Sequence, residues 1–133
     1  MSQEQQAEFL KRVPLFHGIE TELIESLTGI MTIRQFSVGS FLCHKDEPGN
    51  ACFIIGKGQV NVLTQSEGGE QLCSLGPGHV IGEVALLDGQ ARSASLQAKE
   101  DVTAFVLMRE DFSRLLTAQN QGCMRLLDNI VQA

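Results

Sequence analysis

The sequence predicts a mainly β fold, a sandwich or barrel of short antiparallel strands with helices at both ends. Three observations carry this. From Met31 onward the apolar residues fall into β-leaning runs of four to eight residues. Turn-forming clusters separate them: DEPGN at 46–50, SEGGE at 66–70 and GPGH at 76–79. Before residue 31 and after residue 108 the apolar spacing lengthens to that of a helix.

In chain order, Phe9, Leu10 and Val13 stand at i, i+1 and i+4, Pro14 interrupts, and Leu23, Ile24, Leu27 and Ile30 resume the period. Residues 1–30 are therefore read as two short helices. The strand runs are TIRQFSVG, SFLCHK, ACFIIGKG, QVNVLTQS, EQLCSLG and HVIG. Val60 and Val62 alternate with Gln59 and Asn61, as one dry and one wet face require. In VTAFVLM, residues 102–108, both faces are apolar, so that strand is covered on both sides. The candidate cover is the C-terminal segment 109–133. There Phe112, Leu115 and Leu116 form one helical stripe and Leu126, Leu127, Ile130 and Val131 a second, with NQG at 120–122 as the hinge.

The 133 residues suffice for one domain with a real core, since a chain of this length buries roughly two thirds of its unfolded surface. One domain over 1–133 is expected: helices to 30, strands over 31–108, helices over 109–133. A formal net charge of −6 with scattered Lys and Arg disfavours a duplex phosphate backbone, so no nucleic-acid partner is expected. No apolar run reaches membrane-spanning length and the N-terminus MSQEQQAEFLKR is polar, so a cytoplasmic chain without a membrane partner is expected. Cys43, Cys52, Cys73 and Cys123 lack a C-x-x-C pair, and the first three fall in strand runs, where a thiol serves as a small apolar filler. His17, His44 and His79 lie far apart, giving no metal-ligand spacing.

One stretch departs from the strand pattern: GEVALLDGQARSAS, residues 82–95. Gly82 and Glu83 open a helical turn over Val84–Leu87. The unpaired amides of a helix start carry about half a positive charge and suit an anion. Glycine at 82 admits a close approach. Arg92, read as returning on the next strand, offers a guanidinium that holds two phosphate oxygens. A charge-assisted hydrogen bond of this kind contributes about 1.5–3 kcal/mol, and the helix end about 0.3–2 kcal/mol. Glu83 suits a sugar hydroxyl, and Ser93 a phosphate oxygen or base edge. The plainer reading stands beside this one: Gly-Glu is an ordinary helix start, and a lone strand Arg commonly lays its stem on the sheet.

The stretch LGPGHVIGEVALLDGQARSAS resembles the phosphate-binding cassette of the cyclic nucleotide-binding domain family, shared by bacterial catabolite regulators, cyclic-nucleotide-dependent kinase regulatory subunits and gated channels. FLKRVPLF resembles the family's leading helix, ACFIIGKGQVNVL its central strand pair with the Gly58 turn, and MREDFSRLL the helix after the roll, so the resemblance spans roughly residues 8–131. It implies an antiparallel β-roll of the jelly-roll type with a short cassette helix within 82–93 and two C-terminal helices. It implies cyclic AMP or cyclic GMP as ligand, with no further cofactor and no metal. Arg92 would pair the phosphate and Glu83 the ribose 2′-hydroxyl, and Gly82, Val84 and Ala85 would offer backbone. Ser93 occupies a position tied to base preference and leaves the base open. Val62, Cys73, Leu75 and Ile81 match the apolar side of the pocket. Three departures stand out: Ala91 where many relatives have proline, Asp46 in place of a turn glycine, and His79 in place of aspartate. The final helix, Cys123 to Ala133, extends about 16 Å, short of relatives that dimerise on it.

The leading expectation is a cyclic nucleotide sensor whose C-terminal helices shift on binding and pass that shift to a protein partner or second copy, by no more than the ligand's preference between the two arrangements. The sequence ends before any helix-turn-helix, kinase or channel part, so the signal would pass to another polypeptide unless the chain is a fragment. The alternative is an interaction or dimerisation module that keeps the fold without the ligand. Catalysis is not expected: the chain has no H-x-H, G-x-S-x-G or P-loop pattern.

Overall fold

The computed structural model of the chain describes residues 2–82, 91–118 and 128–131. Helix α1, Gln3–Lys11, starts at a capping box in which Ser2 and Gln5 exchange side-chain to backbone hydrogen bonds. Pro14 then opens a short 3-10 turn, Pro14–Phe16, at the first position, where its missing N–H costs nothing, before α2, Thr21–Ile30. The strands are β1 Thr32–Phe36, β2 Phe41–Cys43, β3 Ala51–Lys57, β4 Val60–Leu63, β5 Gln71–Leu75, β6 Val80–Ile81, β7 Ser95–Ala98 and β8 Val102–Met108. Helix α3, Arg109–Ala118, follows β8 directly, and residues 128–131 are again helical.

The strands form two antiparallel four-stranded sheets, in the orders β1-β8-β3-β6 and β2-β7-β4-β5. Strand alternation sorts the side chains into two cores. From β3 and β8, Ala51, Phe53, Ile55, Val102, Ala104 and Val106 point between the sheets, where they meet Phe36, Leu42, Val60, Leu96 and Ala98. Cys52, Ile54, Phe105 and Leu107 point the other way, onto the helices.

The two-sided covering expected of β8 is present, and its outer face is shared. The C-terminal segment joins it through Phe112 and Ile130, as expected, and α1, the 3-10 turn and α2 add Leu10, Val13, Phe16, Ile24 and Leu27 to the same cluster. The cause is geometric: α1 and α2 pack on each other and close over the sheet, as when Phe9 stacks on Phe105 with centroids 5.6 Å apart. Truncating a buried phenyl such as Phe105 to alanine costs about 3–5 kcal/mol. The expected second stripe is also split. Ile130 is buried in this chain's own core, whereas Val131 is 72% exposed. Leu126 and Leu127 lie outside the described residues. Asn129 fastens the segment by donating from Nδ2 to the carbonyls of Leu15, at 2.7 Å, and His17, at 2.9 Å.

Among the described residues no helix is long and apolar enough to cross a membrane. Cys43 and Cys52 are the buried fillers expected of them, but Cys73 is exposed.

Candidate functional site

The site is built around Arg92, which lies in the segment leading into β7 and not on a strand as the sequence reading placed it. Its main chain is held by the loop between β2 and β3. The Asp46 amide donates to the Arg92 carbonyl at 2.9 Å, and the Arg92 amide donates to the Glu47 carbonyl at 2.8 Å. One residue pair thus fixes where the arginine side chain begins.

The side chain crosses to the other sheet. Nη2 donates to the carbonyl of Ala51 at the start of β3, and Cζ stands 5.4 Å from the Phe53 ring centroid. A guanidinium over a phenyl face gains about 0.5–2 kcal/mol, depending on how dry the contact is. Gly82 completes the seat. At φ +84° its conformation is one that L side chains rarely adopt, and a Cβ there would collide with Nη1 of Arg92. The close approach anticipated at Gly82 is therefore made by the arginine itself.

Arg92 opens onto a cavity of about 220 Å³ bordered by Arg34, Cys43, Glu47, Asn50, Phe53 and Met108, among others. Arg34 lies 5.0 Å from the Phe36 ring, and Phe36 meets Phe53 edge to face at 6.4 Å, so two cations rest on two touching rings. Among the described residues neither guanidinium enters an ion pair. The Glu47 carboxylate is engaged instead by the His44 amide, at 2.5 Å. Burial pushes the Cys43 thiol above its ordinary range. The Arg92 charge and a hydrogen bond with the Leu96 backbone draw it partly back, and Glu47 opposes them. The arginine's field thus reaches the wall of the cavity.

Val62, Leu75 and Ile81 pack, half-buried, against the core between the sheets, the cluster that contains Phe53. Ile81 is also the register partner of Phe53. Cys73 stands opposite Val62 in the β4–β5 pairing, yet it is exposed, so the inner face of this hairpin is dry at Val60 and open to solvent at Cys73. These four residues do not border the 220 Å³ cavity; Phe53 stands between the two regions. Ser93 is exposed, one residue beyond the arginine. Glu83, Val84 and Ala85, with the expected cassette helix, lie outside the described residues.

Sequence reasoning missed Ala51, Phe53 and the Asp46–Glu47 backbone. Phe53 carried a faint signal, an aromatic at an inward-alternating position of CFII. A carbonyl that receives an arginine 41 residues away leaves no local trace. Among the described residues no cluster of His, Cys, Asp and Glu is arranged to hold a metal.

A family model described as cyclic nucleotide-binding domain matches residues 33–119. The cyclic AMP receptor protein of Thermus thermophilus is 34% identical over 109 residues, 80% of this chain and 50% of that protein. The cGMP-dependent protein kinase 2 of Homo sapiens is 30% identical over 115 residues, 84% of this chain and 15% of the kinase. The chain thus spans half or less of these two curated relatives. Among solved structures, the N-terminal domain of a transcriptional regulator from Streptomyces coelicolor A3(2) is similar at TM-score 0.84 and 27% identity, covering 93% of this chain and 90% of that one. With its two antiparallel sheets forming the β-roll of such domains and its sequence matched over 33–119, the chain belongs to the cyclic nucleotide-binding domain family.

Proposed function

We propose that residues 1–133 act as a single cytoplasmic domain that binds cyclic AMP or cyclic GMP and passes the event to a protein partner. One observation supports this above the others. The guanidinium of Arg92 stands against Gly82 and over Phe53, and among the described residues the groups that hold it are neutral, a carbonyl and a ring face. A cyclic phosphodiester carries one negative charge and two free oxygens, which fits the planar fork of an arginine.

In this reading Arg92 pairs the phosphate, and Gly82, Val84 and Ala85 offer backbone to the sugar and phosphate. Glu83 accepts from the ribose 2′-hydroxyl, and Ser93 bonds a phosphate oxygen or the base. Val62, Cys73, Leu75 and Ile81 take the apolar side of the ligand. The half-open face of β4 and β5 supports that assignment, because inward-facing apolar groups left partly wet gain from a planar base laid on them. The output passes through the C-terminal helices, whose last described turn docks on Leu15 and His17 through Asn129. A ligand that prefers one docking arrangement shifts its population by that preference and no more.

The second reading, a ligand-free interaction module, draws on one observation: Ala51 already supplies Arg92 with an acceptor. Calorimetric titration of the full chain with cyclic AMP and cyclic GMP separates the two. The sensor reading expects saturable heats that weaken by about ten- to a hundredfold in Arg92→Leu, the loss of one charge-assisted pairing. Absence of binding by the wild type supports the second reading.

A further inference from the structure

The loop that holds the Arg92 main chain turns at an unusual residue. Among the described residues Asp46 is the one non-glycine at positive φ, +71°. It is third in the turn His44–Glu47, which the Glu47 amide closes onto the His44 carbonyl at 3.2 Å. Lys45 before it has no positive φ, and a positive φ at the third position is what a type II turn requires, a position that favours glycine or asparagine. Three hydrogen bonds tie this turn to residues 92–95. Two are the Asp46 amide to the Arg92 carbonyl and the Arg92 amide to the Glu47 carbonyl. The third is the Lys45 amide to Ser95 Oγ, at 2.8 Å.

The amide of residue 46 and the carbonyl of residue 47 therefore grip Arg92 from both sides, and both directions depend on φ at 46. A turn forced to negative φ rotates them together, and the start of the Arg92 side chain moves relative to Ala51, Phe53 and Gly82. We propose that Asp46 is a positioning residue for Arg92: its left-handed backbone, not its carboxylate, aims the guanidinium. This rests on the anion-binding reading of Arg92 and adds what sets that residue's place. The Asp46 side chain is exposed, which agrees with a role carried by the main chain.

The test compares Asp46→Val with Asp46→Gly in the full chain. Both remove the carboxylate, and only glycine accepts the positive φ, so their difference isolates the backbone. Titration with cyclic AMP and cyclic GMP is expected to give Asp46→Val about tenfold weaker binding and Asp46→Gly wild-type affinity. On an Arg92→Leu background Asp46→Val is expected to cost nothing further, since its effect runs through the arginine. Amide hydrogen exchange reads the same claim without ligand. In Asp46→Val the Arg92 amide exchanges at least about tenfold faster, while the β3 and β8 amides keep their protection. Unchanged exchange at Arg92, or an equal affinity loss on both backgrounds, overturns the proposal. If the wild type binds neither nucleotide, the sensor reading fails while the exchange measurement still decides the role of Asp46.

Discussion

Replacing Gly82 with alanine puts the site under a load whose direction is known. The new Cβ would lie 3.1 Å from the Ala51 carbonyl oxygen, 3.3 Å from Cζ of Arg92 and in collision with Nη1. The carbonyl belongs to β3 and cannot move far, whereas the guanidinium is the tip of a long side chain, so the guanidinium yields. The φ of +84° adds strain of about 1–2 kcal/mol for a residue with a Cβ. Loss of the Arg92–Ala51 bond adds to it, discounted because Arg92 is half-exposed and water replaces part of the bond. The expected destabilisation is about 2 kcal/mol, a fall in Tm of roughly 5–10 °C for a chain of this size. The displaced arginine no longer meets the phosphate squarely, so affinity for cyclic AMP or cyclic GMP falls by about tenfold or more. Thermal melting and calorimetric titration of the same sample read both effects. A variant that loses the expected stability but binds as the wild type does would refute the argument, because the guanidinium's place would then not matter to the ligand.

Three further outcomes follow from other parts of the molecule. Cys73 is exposed while Cys43 and Cys52 are buried, so alkylation followed by peptide mapping is expected to modify Cys73 first of the three. Saturating cyclic nucleotide is expected to slow that reaction in proportion to occupancy; equal rates would put the base elsewhere. The Cys43 thiol is raised above its reference value of 9.0, chiefly by burial, so the folded chain keeps its proton where the unfolded chain releases it. Its contribution to stability is therefore intact below about pH 9 and declines as pH rises through the folded value. Denaturant titrations at pH 8 and pH 10 are expected to show a smaller alkaline loss in Cys43→Ala than in the wild type; an identical loss would contradict the assignment. Asn129→Ala removes two hydrogen bonds to the Leu15 and His17 carbonyls, each contributing about 0.5–1.5 kcal/mol, and is expected to lower Tm and speed exchange at residues 128–131. Unchanged exchange there would mean that burial of Ile130 alone holds the segment.

Periodicity made most of the fold legible. Apolar residues on both faces of VTAFVLM named a strand covered on both sides, and this is β8, an inner strand of one sheet. The helices followed from apolar spacing of i, i+1, i+4 at the N-terminal end and i, i+3, i+4 at Phe112, Leu115 and Leu116. That the N-terminal helices share the cover of β8 with the C-terminal segment was not legible in that way, because an apolar face does not say which distant helices will close on it. Val131 was misassigned for a similar reason: a stripe read from spacing says nothing about where a docked helix runs out of neighbours. At the site, Gly82 and Arg92 were each read as serving one anion, and the structure stands them side by side. The grip of residues 46 and 47 was not, since it passes through backbone amides and carbonyls that every residue carries. The one local hint was an aspartate where a turn glycine was expected.

The central claim is that Arg92 recognises the phosphate, and it is tested most directly by comparing cyclic AMP with adenosine, which lacks that group, in the wild type and Arg92→Leu. Calorimetry gives the affinity ratio of the two ligands in each protein. The account predicts that the wild type prefers cyclic AMP by about ten- to a hundredfold and that Arg92→Leu largely abolishes the preference. A preference that survives unchanged in Arg92→Leu would contradict it.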